Sequence, residues 1–212
     1  MTNPNSIVRL HSRNGGRASV LETNMPFQSY DMGLLKGNGV VPSQNADMNV
    51  TVGGAAGKPD IVIAETPAGY KIALDIAGTA TLTLTAPSEN AKIVAIVAYT
   101  DDLALASTDT TTTGNTSSCG LIQVSGTVAA NPDKPTDAQI RTAITADGAT
   151  GSQAAYAIVA YVTVAATTTT ITSSLIENLD ANFIKVVPES EIDSLIGTPL
   201  EPGHFIVGYK ES

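Results

Sequence analysis

The chain has 212 residues, of which 42% are apolar and only 15% charged, against a typical ~25%; it has no Trp and a net charge of −9. That charge excludes a binder that tracks nucleic-acid phosphates, and the single cysteine excludes an intrachain disulfide framework or a thiolate zinc site. No apolar run approaches the ~20 residues of a membrane helix, and no secretory signal is expected from the N-terminal residues.

What remains reads as a soluble, Thr/Ala/Gly-rich protein whose core is filled by small aliphatic side chains. Charge is unevenly placed. Residues 1–100 balance their acids and bases, so the whole negative excess lies beyond residue 100. The first twenty residues hold Arg9, Arg13 and Arg17 and no acid. Residues 1–46 show no clear periodicity and carry turn signals at Asn14-Gly15-Gly16, Gly37-Asn38-Gly39 and Pro42. Yet they include Ile7, Leu10, Leu21, Phe27, Leu34 and Leu35, more apolar residues than a solvated tail carries. The segment is therefore expected to be an extended arm that orders against a neighbouring subunit.

From 47 to 176 the pattern is strand-like. Residues 48–52 and 70–76 alternate apolar with polar, and 61–64 is a short apolar run before the turn Pro67-Ala68-Gly69. Residues 79–85, TATLTLT, keep a strict period of two. Residues 93–99, IVAIVAY, form a near-continuous apolar run rich in β-branched residues, as expected of a strand buried on both faces. Residues 109–118 are polar and of low complexity, so they are expected to form an exposed hairpin tip. Alternation returns at 121–128, an apolar strand follows at 156–164, and one more strand is expected at 168–176.

A single helix interrupts this series. Thr136 followed by Gln139 has capping-box spacing, Ile140 and Ile144 share a face, and Gly148 is placed to end the helix. The tail, 177–212, is expected to hold a short helical turn near 189–196 and a final strand at 205–209, added to another chain's sheet. AIVAY occurs at 95–99 and again at 157–161, which reads as two central strands under one burial constraint.

The motifs that could carry chemistry each have a plainer reading. Gly53 to Lys58 lacks both the first glycine and the Ser/Thr of a phosphate-binding loop. His11 and His204 lie far apart in the two arms, with no ligand spacing near either. Asp101-Asp102 and Asp109 lack calcium-loop spacing and read as solvated charges at a strand end. Cys119 has no histidine near it in sequence and reads as a small core residue.

Residues 96–101 (IVAYTD), 124–132 (VSGTVAANP) and 156–171 (YAIVAYVTVAATTTTI) together resemble the N-terminal β-sandwich domain of tail, baseplate and fibre-associated structural proteins in phages of Gram-positive bacteria. The resemblance covers about two-thirds of the chain. It implies a structural role and carries over no catalytic residue.

The expectations are thus an all-β chain: an antiparallel β-sandwich with one short helix at 47–176, an extended N-terminal arm at 1–46 and a C-terminal tail at 177–212. The function expected from the resemblance is a virion structural subunit, a tail, baseplate or fibre-attachment adapter that is not an enzyme. A capsid decoration or head-fibre protein is the alternative, with a virion carbohydrate-binding module as a further one. No cofactor, metal, nucleic acid or membrane is expected. The expected partners are other copies, in a trimer or higher ring, and neighbouring virion proteins. Expected assembly contacts are Arg9, Arg13, Arg17, Leu21, Phe27, Leu34, Leu35, Phe205 and Tyr209.

Overall fold

The computed structural model describes residues 8–10, 28–54, 59–101, 119–188 and 204–209. Its strands in chain order are β1 (Val8–Leu10), β2 (Gly33–Lys36), β3 (Val40–Pro42), β4 (Asn49–Val52), β5 (Asp60–Glu65), β6 (Lys71–Ile76), β7 (Ala80–Thr83), β8 (Ala91–Thr100) and β9 (Cys119–Ser125). After the helix α1 (Asp137–Ala146) come β10 (Ala155–Ala165), β11 (Ile176–Asn178), β12 (Phe183–Pro188) and β13 (His204–Tyr209). The large sheet runs β1-β6-β5-β10-β8-β9, with β2 also on β5 and β11 also on β10. A second sheet runs β3-β4-β7. The described residues are therefore all-β with one helix, as the alternation predicts.

Period-two patterning decides which sheet face each residue serves. On β8, Val94, Ile96 and Ala98 join Val50, Val52, Ala80 and Leu82 of the small sheet in one buried cluster. Ala95, Val97 and Tyr99 face the other way and pack with Ile140 and Ile144 of α1. So the large sheet carries the small sheet on one face and the helix on the other, and β8 is buried on both. β10 begins with Ala155 and Ala157 in the inter-sheet cluster and ends with Ala160, Val162 and Val164 there. The change of parity comes from a bulge between Ile158 and Ala160, where Val159 is the extra residue against β8. The two AIVAY segments lie on adjacent hydrogen-bonded strands, yet the bulge gives them different facing patterns.

The helix starts as its sequence predicts. The Thr136 hydroxyl accepts the Gln139 N–H at 3.3 Å while the Gln139 side chain accepts the Thr136 N–H at 2.8 Å. Ile140 and Ile144 are buried, and Gly148 takes a φ of 98° just past the end. Gly120 lies opposite Tyr99, where any Cβ would overlap the tyrosine ring.

Three sequence expectations need correction. The arm does not extend to 46: β2 pairs with β5, β3 pairs with β4, and Leu34 is 7% exposed within the core, so residues from 33 onward are integral to the sheets. The strand expected at 168–176 is not formed: a loop and a 3-10 turn at Ser173–Leu175 lead into β11, which begins only at Ile176 and pairs with β10. The final strand, β13, pairs in parallel with β12 of its own chain rather than with another sheet. The expected helical turn near 189–196 and the loop 109–118 lie outside the described residues.

Candidate functional site

Strand edges are where a protein of this kind exposes unpaired backbone donors and acceptors. Alternation also sets which backbone groups point outward. On β6 these are the groups of Lys71, Ala73 and Asp75. The Lys71 N–H donates to Gln28 Oε1 at 3.0 Å, and Gln28 Nε2 donates to the Lys71 carbonyl at 2.8 Å. One side-chain amide thus replaces a strand residue on the ladder. β1 continues the same edge, with Val8 opposite Ile76, Arg9 opposite Asp75 and Leu10 opposite Leu74. β1 and Gln28 therefore close the β6 edge, and Leu10 and Gln28 meet β6 only three residues apart.

The β3 edge is closed in a comparable way by a residue far along the chain. The Val40 N–H donates to Asn178 Oδ1 at 2.8 Å, and Asn178 Nδ2 donates to the Val40 carbonyl at 3.0 Å. Pro42 has no N–H to leave open on that edge. The loop before β3 is held from below. The buried Asp60 carboxylate accepts the N–H groups of Asn38, at 3.1 Å, and Gly39, at 2.9 Å. Burial raises the Asp60 pKa above its ordinary 3.8, against the opposing effect of those two N–H groups. Gly37 and Gly39 have positive φ there, and a Cβ on Gly37 would overlap the Asp60 carboxylate.

A surface cleft of about 310 Å³ opens beside α1, lined by Met32, Glu65, Thr66, Pro67, Asp137, Arg141 and Tyr156. Its charged groups are already matched. Arg141 Nε donates to both Asp137 oxygens, at 2.9 and 3.0 Å, and its Nη1 donates to the carbonyls of Gly151 and Ala154. The Tyr156 hydroxyl donates to Asp137 Oδ1 at 2.8 Å, and Lys71 pairs with Glu65. Burial would raise the Asp137 pKa, but Tyr156 and Arg141 together lower it below 3.8. Burial, then the bond to Asp137, pushes Tyr156 up to about 12. Asp137 and Tyr156 therefore do not titrate near neutral pH, where a general acid or base is most effective. The cleft joins helix to sheet.

Of the expected contacts, Arg9 lies in β1 at the β6 edge, and Phe205 and Tyr209 lie in β13 opposite Ile184 and Pro188. Leu34 is a core residue and Leu35 is half-buried in β2, which corrects their assignment to an arm. Arg13, Arg17, Leu21 and Phe27 lie outside the described residues. Cys119 is buried, with its Sγ donating to Thr100 Oγ1 at 3.1 Å. Among the described residues no group of three or more His, Cys, Asp or Glu side chains is placed to hold a metal. No helix among them is long and apolar enough to cross a membrane. Gln28 and Asn178 are the site residues that sequence reasoning missed. Their partners are 43 and 138 residues away, and no local pattern signals such a bond.

The chain matches no family model, no curated protein and no solved structure. The likeness to phage structural domains thus rests on the residues of the sequence.

Proposed function

We propose that this chain is a phage virion structural subunit, a tail, baseplate or fibre-attachment adapter that works by assembly rather than catalysis. Its partners are other copies, in a trimer or ring, and adjoining virion proteins. The observation that supports this reading is the β6 edge, which is closed by β1 and by Gln28. A handful of residues would connect Leu10 to Gln28 along one edge, and the chain supplies seventeen. Extended, seventeen residues reach roughly 55 Å. That is enough to carry β1 to the same edge of a neighbouring copy, and exchange of an identical element is a low-cost route to oligomers.

Deleting residues 1–27 tests the reading. The truncated chain is expected to melt cooperatively and to be lost from particles. Normal incorporation of the truncated chain overturns an assembly role for the arm. Copy number per virion separates the two locations. A few to tens of copies fit the tail, and hundreds fit a capsid decoration or head-fibre protein, whose basic arm would meet an acidic capsid surface.

A further inference from the structure

The two edges of the small sheet are treated differently. On β3, the outward groups of Val40 are both taken by Asn178 and Pro42 has no N–H to offer. On β7, the Leu84 N–H donates to the Met48 carbonyl, and β4 pairs Val50 with Leu82 and Val52 with Ala80. Antiparallel pairing alternates, so Ala80, Leu82 and Leu84 turn their backbone groups toward β4. Thr81 and Thr83 therefore turn theirs outward. No described strand pairs with that side of β7. One outward group has a partner: Gln123 Nε2, from the edge strand of the other sheet, donates to the Thr83 carbonyl at 3.1 Å. A side-chain amide there occupies the place of an incoming strand's N–H.

Apart from that one bond, the strand lacks the charges and prolines that usually protect an edge. Residues 79–85, TATLTLT, contain no charge and no proline, and Thr81, Thr83 and Thr85 are exposed. The net charge of −9 comes wholly from residues beyond 100, whereas β7 belongs to the charge-balanced part of the chain, so this uncharged strand is a place where two copies can meet. An alternating strand is also complementary to its own antiparallel copy, the requirement of a two-fold contact.

We infer that β7 pairs with β7 of a second copy, antiparallel about a two-fold axis at Leu82, which joins the two small sheets into one of six strands. Thr81 of each copy faces Thr83 of the other, and their outward N–H and C=O groups form four backbone hydrogen bonds, with Gln123 displaced from Thr83. The threonine side chains line one face, and the Leu82 side chains meet on the other. This contact does not depend on the virion reading. It uses a different edge from the arm, and combined with a ring it gives dihedral symmetry.

Sedimentation of the full chain over a range of concentrations tests the inference. A reversible dimer is expected, weakened at least tenfold by Thr83→Pro, which removes an outward N–H and leaves the β4 ladder intact. Thr81→Lys is expected to weaken it as strongly while melting like the parent, which keeps the test valid if the proline variant misfolds. In a Cys119→Ser background, mixing Thr81→Cys chains with Thr83→Cys chains should give a disulfide-linked heterodimer that neither forms alone. A chain that stays monomeric overturns the inference. So does self-association that neither β7 variant weakens, or cross-linking that does not require the mixture.

Discussion

Tyr99 and Tyr156 stand opposite each other on β8 and β10, and their hydroxyls hold the two ends of α1. Tyr156 donates to Asp137 in the first turn, and Tyr99 donates to Oδ2 of Asp147, the C-cap residue, at 2.6 Å. The helix packs on the sheet through few apolar side chains, with Ile140 and Ile144 its two buried ones. Two charge-assisted bonds at its ends add to that packing.

Tyr99→Phe and Tyr156→Phe are each expected to lower stability by about 1.5–3 kcal/mol, the usual effect of losing a hydrogen bond to a charged group. The pH dependence has a definite sign. Burial and then the aspartate bond raise the folded pKa of Tyr156 from 10.0 to about 12, and those of Tyr99 in the same direction. Stability from the neutral hydroxyl is complete below the unfolded pKa and is lost as pH rises through the folded one. Thermal melts from pH 9 to 12 should fall steeply for the parent and less steeply for Tyr156→Phe.

Ile144→Ala removes the more deeply set of the two helix anchors and is expected to lower stability by about 2–5 kcal/mol in denaturant titrations. Val97 is fully buried against the same helix. Val97→Asp places an unpaired charge there and is expected to abolish cooperative folding. A soluble, cooperatively melting Val97→Asp chain would refute the two-sided burial of β8.

The strand at 80–83 is readable because one face is buried and the other exposed, and that at 71–76 because Lys71 and Asp75 alternate with the buried Ile72, Leu74 and Ile76. The capping box at Thr136 was readable because both its partners lie within one turn. β2 was not, since Gly33–Lys36 is too short to show a period, and its burial comes from β5. The bulge at Val159 depends on the length of the facing strand, and β11 on the side of β10 left open. The candidate edges failed for the same reason. Whether β6 or β7 is an edge depends on strand order, and Asn178 meets Val40 across 138 residues of sequence. Arg9 stands out by its charge and is paired with Asp75 on β6, whereas the burial of Leu34 comes from β5 and leaves no local pattern.

Asn178→Ala strips both partners from the Val40 backbone, a residue 1% exposed, and is expected to lower stability by about 1–3 kcal/mol in thermal or chemical melts. It also opens the β3 edge. Light scattering should show added self-association at high concentration, which Asn178→Gln does not reproduce if its longer side chain can still fold back onto Val40.

Asp60 is expected to act in acid in the direction opposite to Asp137. Its folded pKa is raised by burial, so the folded state holds the proton more tightly and stability declines as pH rises from 3.8 through the raised value. Asp137, lowered in the fold, contributes stability that is present above 3.8 and lost as pH falls. Melts between pH 3 and 6 should show a steeper acid loss for Asp60→Asn than for the parent, and a shallower one for Asp137→Asn.

The arm can be tested for exchange through one register pair. Arg9 and Asp75 are partners on β1 and β6, and such partners have Cα atoms about 5.5 Å apart, within the range a disulfide spans. With Cys119 changed to Ser, Arg9→Cys chains and Asp75→Cys chains are assembled together and oxidised. A bond between the two kinds of chain forms only if β1 of one copy lies on β6 of another. A chain carrying both changes should then give a ladder of covalent oligomers on a non-reducing gel. If the doubly substituted chain instead closes on itself and the mixture stays uncrosslinked, each arm lies on its own sheet.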